Sequence, residues 1–311
     1  MRHPSLEFSR FPLALAALVT LLLGGCSEDI GGSSRSWGVR GKWRGALFNP
    51  RAVEALPDGS WVVLDRTNRI QVFSPDGEFL RGWTTPQTGR GNPRGLDVDR
   101  SGNILVADTH YGQVLRYSPE GALLQVIGKA GSGPGEFCLV TDVVEDSSGV
   151  LTTLEYGDKV RVQRLDPNGR FLGEWGQIGD APGELRRPQG LALSPDGNLV
   201  VADSVNHRIQ VFSPGGELLR IIGEFGRDRG QLNYPYDVAV DKSGRIYAIE
   251  FGNHRLQVFS PEGKALGIYG GAGRGRGEFS EPWGVTVLST GEVLVADTKN
   301  DRIQNLGSLL R

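Results

Sequence analysis

Residues 195–223 read PDGNLVVADSVNHRIQVFSPGGELLRIIG. Three short apolar runs, Asn198–Ala202, Arg208–Phe212 and Glu217–Ile222, are separated by polar turns. Pro195-Asp196-Gly197 and Pro214-Gly215-Gly216 supply turn chemistry, since proline presets φ and glycine accepts positive φ. The runs are rich in Val, Ile, Leu and Phe and too short for helices, so they predict antiparallel strands. One such meander cannot bury both of its faces and needs neighbours.

The rest of the chain supplies them. An acid closes the second strand at Asp65, Asp108, Glu155, Asp203, Glu250 and Asp297, with successive spacings of 43, 47, 48, 47 and 47. A further run then ends at Phe73, Tyr117, Leu165, Phe212, Phe259 or Leu306, and a Pro-x-Gly turn follows it at Pro75, Pro119, Pro167, Pro214 and Pro261. A period of 40–50 residues with four strand signals per unit predicts propeller blades, and six copies predict six blades.

Asn206-His207-Arg208-Ile209-Gln210-Val211-Phe212 and Asn253-His254-Arg255-Leu256-Gln257-Val258-Phe259 closely resemble the NHL repeat. The resemblance covers everything after residue 35 and implies an all-β, six-bladed NHL-like β-propeller over 36–311. NHL-like propellers include RNA binders, protein-interaction platforms, amidating lyases and antibiotic lyases, so the fold leaves function open. The sixth copy lacks an outer strand. Gly45–Pro50 aligns with Gly230–Pro235, which puts Ser36 to Val39 at the outer-strand position, paired with Arg302–Leu306 and closing the ring. Burying both open edges is what a propeller requires.

The first 25 residues differ. Arg2, His3 and Arg10 precede an apolar run, Phe11 to Leu23, too short for a membrane span and suited to a signal-peptide core. It ends Leu23-Gly24-Gly25-Cys26, which resembles a bacterial lipobox. The expectation is a lipoprotein signal peptide over 1–25 and a lipidated Cys26 opening a flexible tether over 26–35. The protein would be exported and lipid-anchored in a bacterial cell envelope, with Ser27 favouring the outer membrane. Ordinary cleavage after small residues is the competing reading.

With residues 1–25 removed, Lys and Arg fall from 34 to 32 and Asp and Glu from 36 to 35, a net charge of about −3. No overall basic excess exists to neutralise phosphates, which argues against a nucleic-acid partner. Cys138 is the one other cysteine. With Cys26 lipidated it has no disulfide partner, and it reads as a small buried hydrophobe.

Several motifs invite chemistry and are read structurally. The pairs Asp65/Arg69, Asp203/Arg208, Glu250/Arg255 and Asp297/Arg302 recur at one place in the blade, whereas a catalytic role would be needed once. His207 and His254 sit at the same offset in adjacent blades, too far from the axis to share a metal. Some NHL-like lyases hold a central zinc with histidines, but where their pattern puts histidine this chain has Arg208 and Arg255. The glycine-rich stretches at 131–135 and 271–277 are blade connections rather than phosphate cradles. No metal and no cofactor are expected.

The residues following the opening of each inner strand are Arg51, Arg94, Thr141, Gln189, Tyr236 and Trp283. Their surroundings repeat while their chemistry varies. Inner strands converge on the axis, so these six should ring one mouth of the channel as a ligand site. Unconstrained drift at exposed loops is the bland alternative. The next residue is acidic only at Asp142 and Asp237, which predicts no central acid cluster. The leading expectation is a monomeric, membrane-tethered binding or scaffolding module. It would take an envelope protein, a peptide or an anionic small ligand at the channel mouth. The alternative is an NHL-like lyase or lactonase-type hydrolase using the same channel.

Overall fold

The computed structural model describes residues 34–310. The expected signal peptide and the expected lipidation site Cys26 lie outside the described residues. Six four-stranded antiparallel sheets follow one another in chain order. Each blade runs from an inner strand at the axis to an outer strand at the rim. Blade four, for example, comprises Leu191–Leu193, Leu199–Asp203, Arg208–Phe212 and Leu218–Ile222. The chain is a six-bladed β-propeller.

Its strands carry apolar residues on both faces because each sheet is covered on both sides. In blade one, Val62, Leu64, Ile70 and Val72 pack with Leu96, Ile104 and Val106 of blade two. Trp61, Val63 and Phe73, from the alternate positions, pack with Leu294, Ala296 and Ile303 of blade six. The core is therefore a ring of clusters between neighbouring blades.

The clasp joining blade six to the N-terminal segment is Arg35–Trp37 on Arg302–Ser308, with Trp37 opposite Ile303 and Arg35 opposite Asn305. It begins one residue earlier than the sequence suggests. Trp37 lies over Trp61 at 5.5 Å between ring centroids, and Trp61 stacks on Phe73 at 4.6 Å.

The recurring acid is the hub of a latch that fixes each blade connection. In blade five, Glu250 accepts hydrogen bonds from Arg255 Nε (2.6 Å), Gln257 Nε2 (2.9 Å) and the Asn233 backbone N–H (2.8 Å). Gln257 Nε2 also donates to the Gln231 carbonyl, and its Oε1 accepts from the Gly230 N–H at 2.9 Å. The same acid–arginine contact joins Asp203 to Arg208, Asp297 to Arg302 and Asp65 to Arg69. Blade three uses Glu155 with Arg161, one residue further on than in blades four to six. Blade two departs from it: Asp108 meets Gln113, and Leu115 replaces the glutamine. The connection leading into that blade, residues 85–94, also lacks the short parallel bridge that the other five connections form.

The inner strands alternate. Those of blades one, three and five, Pro50–Ala55, Leu139–Glu145 and Pro235–Val240, are long and bulged at Arg51, Thr141 and Tyr236. Those of blades two, four and six, Gly95–Val98, Leu191–Leu193 and Gly284–Val287, are shorter and pair without a register shift. A β-bulge adds a residue and re-aims the side chains around it. Gly95, Gly190 and Gly284 each face the bulged neighbour so closely that a Cβ would collide with it.

Candidate functional site: the channel mouth and its floor

Arg51, Arg94, Thr141, Gln189, Tyr236 and Trp283 all line one cavity of about 260 Å³ on the axis. It opens at the end of the ring where the inner strands begin. Trp283 is its centrepiece. Its indole meets Tyr236 edge-on at 5.3 Å, with Arg51 at 4.9 Å and Arg94 at 5.6 Å from its centroid. Tyr236 is backed by a stacked Phe251 at 4.6 Å. Thr141 is buried, and its hydroxyl donates to the Leu154 carbonyl at 3.1 Å, so it forms wall rather than a free polar group.

The two arginines are held without a carboxylate. Arg51 Nη1 donates to the Pro93 carbonyl at 3.1 Å, and Arg94 Nη1 donates across the mouth to Gln189 Oε1 at 2.7 Å. Among the described residues neither forms an ion pair, and Arg94 Nε and Trp283 Nε1 are buried without a hydrogen-bond partner. Burial, then the neighbouring Arg94 and Arg66 charges, push Arg51 down to about 10. Burial also lowers Arg94. Two crowded, desolvated guanidiniums favour an anion between them. Sequence reasoning missed Tyr156 and Arg187, which complete this side. Arg94 and Arg187 each lie 5.5 Å from the Tyr156 ring, which comes from the end of a second strand, not from the ring position.

The floor overturns one sequence expectation, because carboxyls do gather in the channel. Glu54, Asp97, Asp142 and Asp237 line the same cavity, together with Glu145, which is ion-paired with Arg116. Glu54 and Asp97 stand three residues after Arg51 and Arg94, further along the inner strands of blades one and two, where a search confined to the next residue does not look. Each carboxyl ties blades together. Asp142 Oδ2 accepts from the Leu191 N–H (2.8 Å), Asp237 Oδ2 from the Val285 N–H (2.9 Å) and Asp97 Oδ2 from the Glu145 N–H (3.1 Å). Glu54 Oε1 accepts from the Thr286 hydroxyl at 2.7 Å. Burial raises all four, Glu54 and Asp237 to about 7, and mutual repulsion adds to the shift of Glu54, Asp97 and Asp142. Among the described residues no group of His, Cys, Asp and Glu has the geometry of a metal site.

The other residues singled out in the sequence lie elsewhere. His207 Nδ1 accepts from the Tyr234 N–H (3.1 Å) and His254 Nδ1 from the Glu281 N–H (3.0 Å), each from a left-handed backbone conformation in the turn between the second and third strands of its blade. Cys138 is half-buried rather than enclosed, and its thiol donates to the Gly131 carbonyl at 3.4 Å.

These features define an NHL-repeat six-bladed β-propeller, and the NHL repeat model matches residues 185–212, 232–259 and 279–305. The peptidyl-glycine alpha-amidating monooxygenase of Mus musculus is 31% identical over 175 residues, 52% of this chain and 17% of the relative. Form B from Xenopus laevis is 36% identical over 176 residues, 53% of this chain and 19% of the relative. The chain thus spans under a fifth of those proteins. Among solved structures, a gluconolactonase from Xanthomonas campestris superposes with a TM-score of 0.64 at 16% identity, covering 88% of this chain and 89% of the other. Virginiamycin B lyase from Staphylococcus aureus gives 0.59 at 15% identity, covering 82% and 79%. At these identities the structures share the fold.

Proposed function

We propose that this propeller is a binding module of the cell envelope whose channel mouth takes an anionic ligand with a flat or apolar part. The observation that carries this reading is the pair Arg51 and Arg94, half-buried against Trp283 without a carboxylate. Arginine forks suit carboxylate or phosphate, and the indole and Tyr236 supply stacking and apolar contact. Arg35 at the start of the clasp pairs with Asp76, in a turn on the face opposite the mouth. A tether to a lipidated Cys26 would therefore leave from that far face, and the mouth would stay clear of the anchor.

The test uses arylcarboxylates and hexuronates as probes, titrated calorimetrically. Arg94→Ala and Trp283→Ala should each weaken binding by roughly 1.5–3 kcal/mol, about ten- to a hundredfold, with little change in thermal midpoint. Probes bound equally by both variants and the parent would place the anion site elsewhere.

A second reading, an enzyme of lyase or lactonase type, is favoured by the floor: Glu54 and Asp237 titrate near 7 in the same cavity, suited to acid–base work. Glu54→Gln separates the two readings. An enzyme loses turnover, whereas a binding module keeps its affinity for the probe.

A further inference from the structure

The exterior around the mouth is charged unevenly. Residues 38–50, 66–68 and 85–94, the loops of blades one and two on the mouth side, contain no Asp or Glu. They carry Arg40, Lys42, Arg44, Arg66 and Arg90, all exposed. On the opposite face the turns of the same two blades hold Asp58, Asp76, Glu78, Asp99 and Glu120 against Arg100. The near neutrality of the whole chain hides this separation.

The basic loop is a built surface. Arg69, already paired with Asp65, donates to the carbonyls of Trp43 (2.7 Å), Gly41 (3.0 Å) and Ala46 (3.0 Å), which fixes the loop's backbone. Lys42 and Arg40 lie 5.3 and 5.6 Å from the Phe48 ring, and the Trp43 indole is 61% exposed between Lys42 and Arg44. Arg66 feels Arg51 electrostatically, so the arc runs inward to the mouth.

Building on the mouth as an anion site, we propose that its ligand is the end of an acidic, uronate-bearing polysaccharide, and that following sugars lie along the cations of blades one and two. The cavity, carboxyl floor included, is about 260 Å³ and admits no more than a single ring-sized unit, so a chain must enter by its end. The mouth face offers no free sheet edge, because the blades' outer edges lie around the circumference, and strand addition of a peptide is excluded there. What it does offer is an exposed indole to stack on a sugar face and cations placed for a repeating carboxylate. A lipid surface fits less well, since the exposed apolar residues are dispersed, Val39 and Trp43 in the arc and Ile178 and Phe225 in the connections after blades three and four.

The test measures affinity for galacturonate and its oligomers up to the hexamer. Affinity should rise by roughly two- to fivefold per added residue over the first few, the range of single exposed charge contacts, and weaken with salt. The triple variant Lys42→Glu/Arg44→Glu/Arg66→Glu should lose this gain with length while still binding the monomer. Lys264→Glu, on the opposite face, should not. These substitutions are on exposed side chains, and unchanged thermal midpoints verify the fold. Length-independent affinity, or a triple variant indistinguishable from the parent, overturns the arc and leaves the mouth reading standing. So does arylcarboxylate binding without uronate binding. Arc-dependent binding of anionic vesicles or single-stranded RNA without any uronate length effect assigns the surface to that partner instead and overturns the polysaccharide. If neither uronates nor arylcarboxylates bind, both readings fall.

Discussion

Replacing Glu54 by Gln should make the protein more stable above neutral pH and remove part of its pH dependence. Burial lifts the Glu54 carboxyl from 4.5 to about 7, opposed by the Thr286 hydroxyl and the Ala55 N–H and reinforced by Asp237. Below about 4.5 the group is protonated in both folded and unfolded chains and has no linkage effect. Between 4.5 and 7 the unfolded chain has released a proton that the folded chain still holds. The unfolded state then binds fewer protons, so stability falls as pH rises, and the loss is complete above about 7. At 1.36 kcal/mol per unit the limit is about 3 kcal/mol, and partial access of Glu54 to the cavity reduces it to roughly 2. Glutamine keeps an oxygen to accept from Thr286 and cannot ionise. Urea denaturation at pH 5 and pH 8 measures the effect. Asp97, Asp142 and Asp237 shift in the same direction, so the quantity to compare is the change between the two pH values in parent and variant. The variant should lose about 2 kcal/mol less than the parent. Equal losses would show that Glu54 is ionised at neutrality and that the floor is wetter than its burial implies.

Gln257→Leu strands the Gly230 N–H and weakens the loop it holds. It should cost about 1–3 kcal/mol by denaturant unfolding, whereas a latch without energetic weight would leave the midpoint unchanged. Removing residues 27–40 takes away the clasp strand and uncovers Trp61, which should cost about 3–5 kcal/mol and lower the thermal midpoint by roughly 10 °C. Removing 27–32 should leave it unchanged, and equal midpoints for the two truncations would locate ring closure elsewhere.

The fold was legible because its determinants are periodic. The acid, the glutamine two residues beyond the arginine and the Pro-x-Gly turn repeat in register, and each repeat states the same local physics. Ring closure was legible for the same reason, since the loop at 45–50 is a copy of the one at 230–235 and so locates the strand before it. What repetition could not report is where the pattern is abandoned. Blade two has Gln113 and Leu115 where other blades carry the latch arginine and glutamine, and the connection leading into it lacks the parallel bridge. That connection carries Arg90 and Arg94, whereas Arg51 of blade one stands beside a connection that keeps both bridge and latch, so the cations of the mouth come from one regular and one irregular blade.

The carboxyl floor was hidden by register. Where an inner strand is bulged, the residue after the ring position swings beside the neighbouring blade's glycine, as Asp142 does at Gly95 and Asp237 at Gly190. Ala52 stands at that place in blade one, and the same blade supplies its carboxyl two residues later, as Glu54. Counting from the repeat alone therefore assigns two acids to the channel, whereas five line one cavity, Glu145 among them in its ion pair with Arg116. Their shared shift follows from the same packing. The bulges press three blades against the glycines of the other three and close the channel, and a closed channel desolvates whatever acids its inner strands carry. Cations at the rim and carboxyls whose ionisation is held back beneath are thus two outcomes of one geometry. Arginine stays charged at the open end, while burial keeps the acids below protonated to higher pH than usual, so an anion drawn to the rim meets less opposing charge under it.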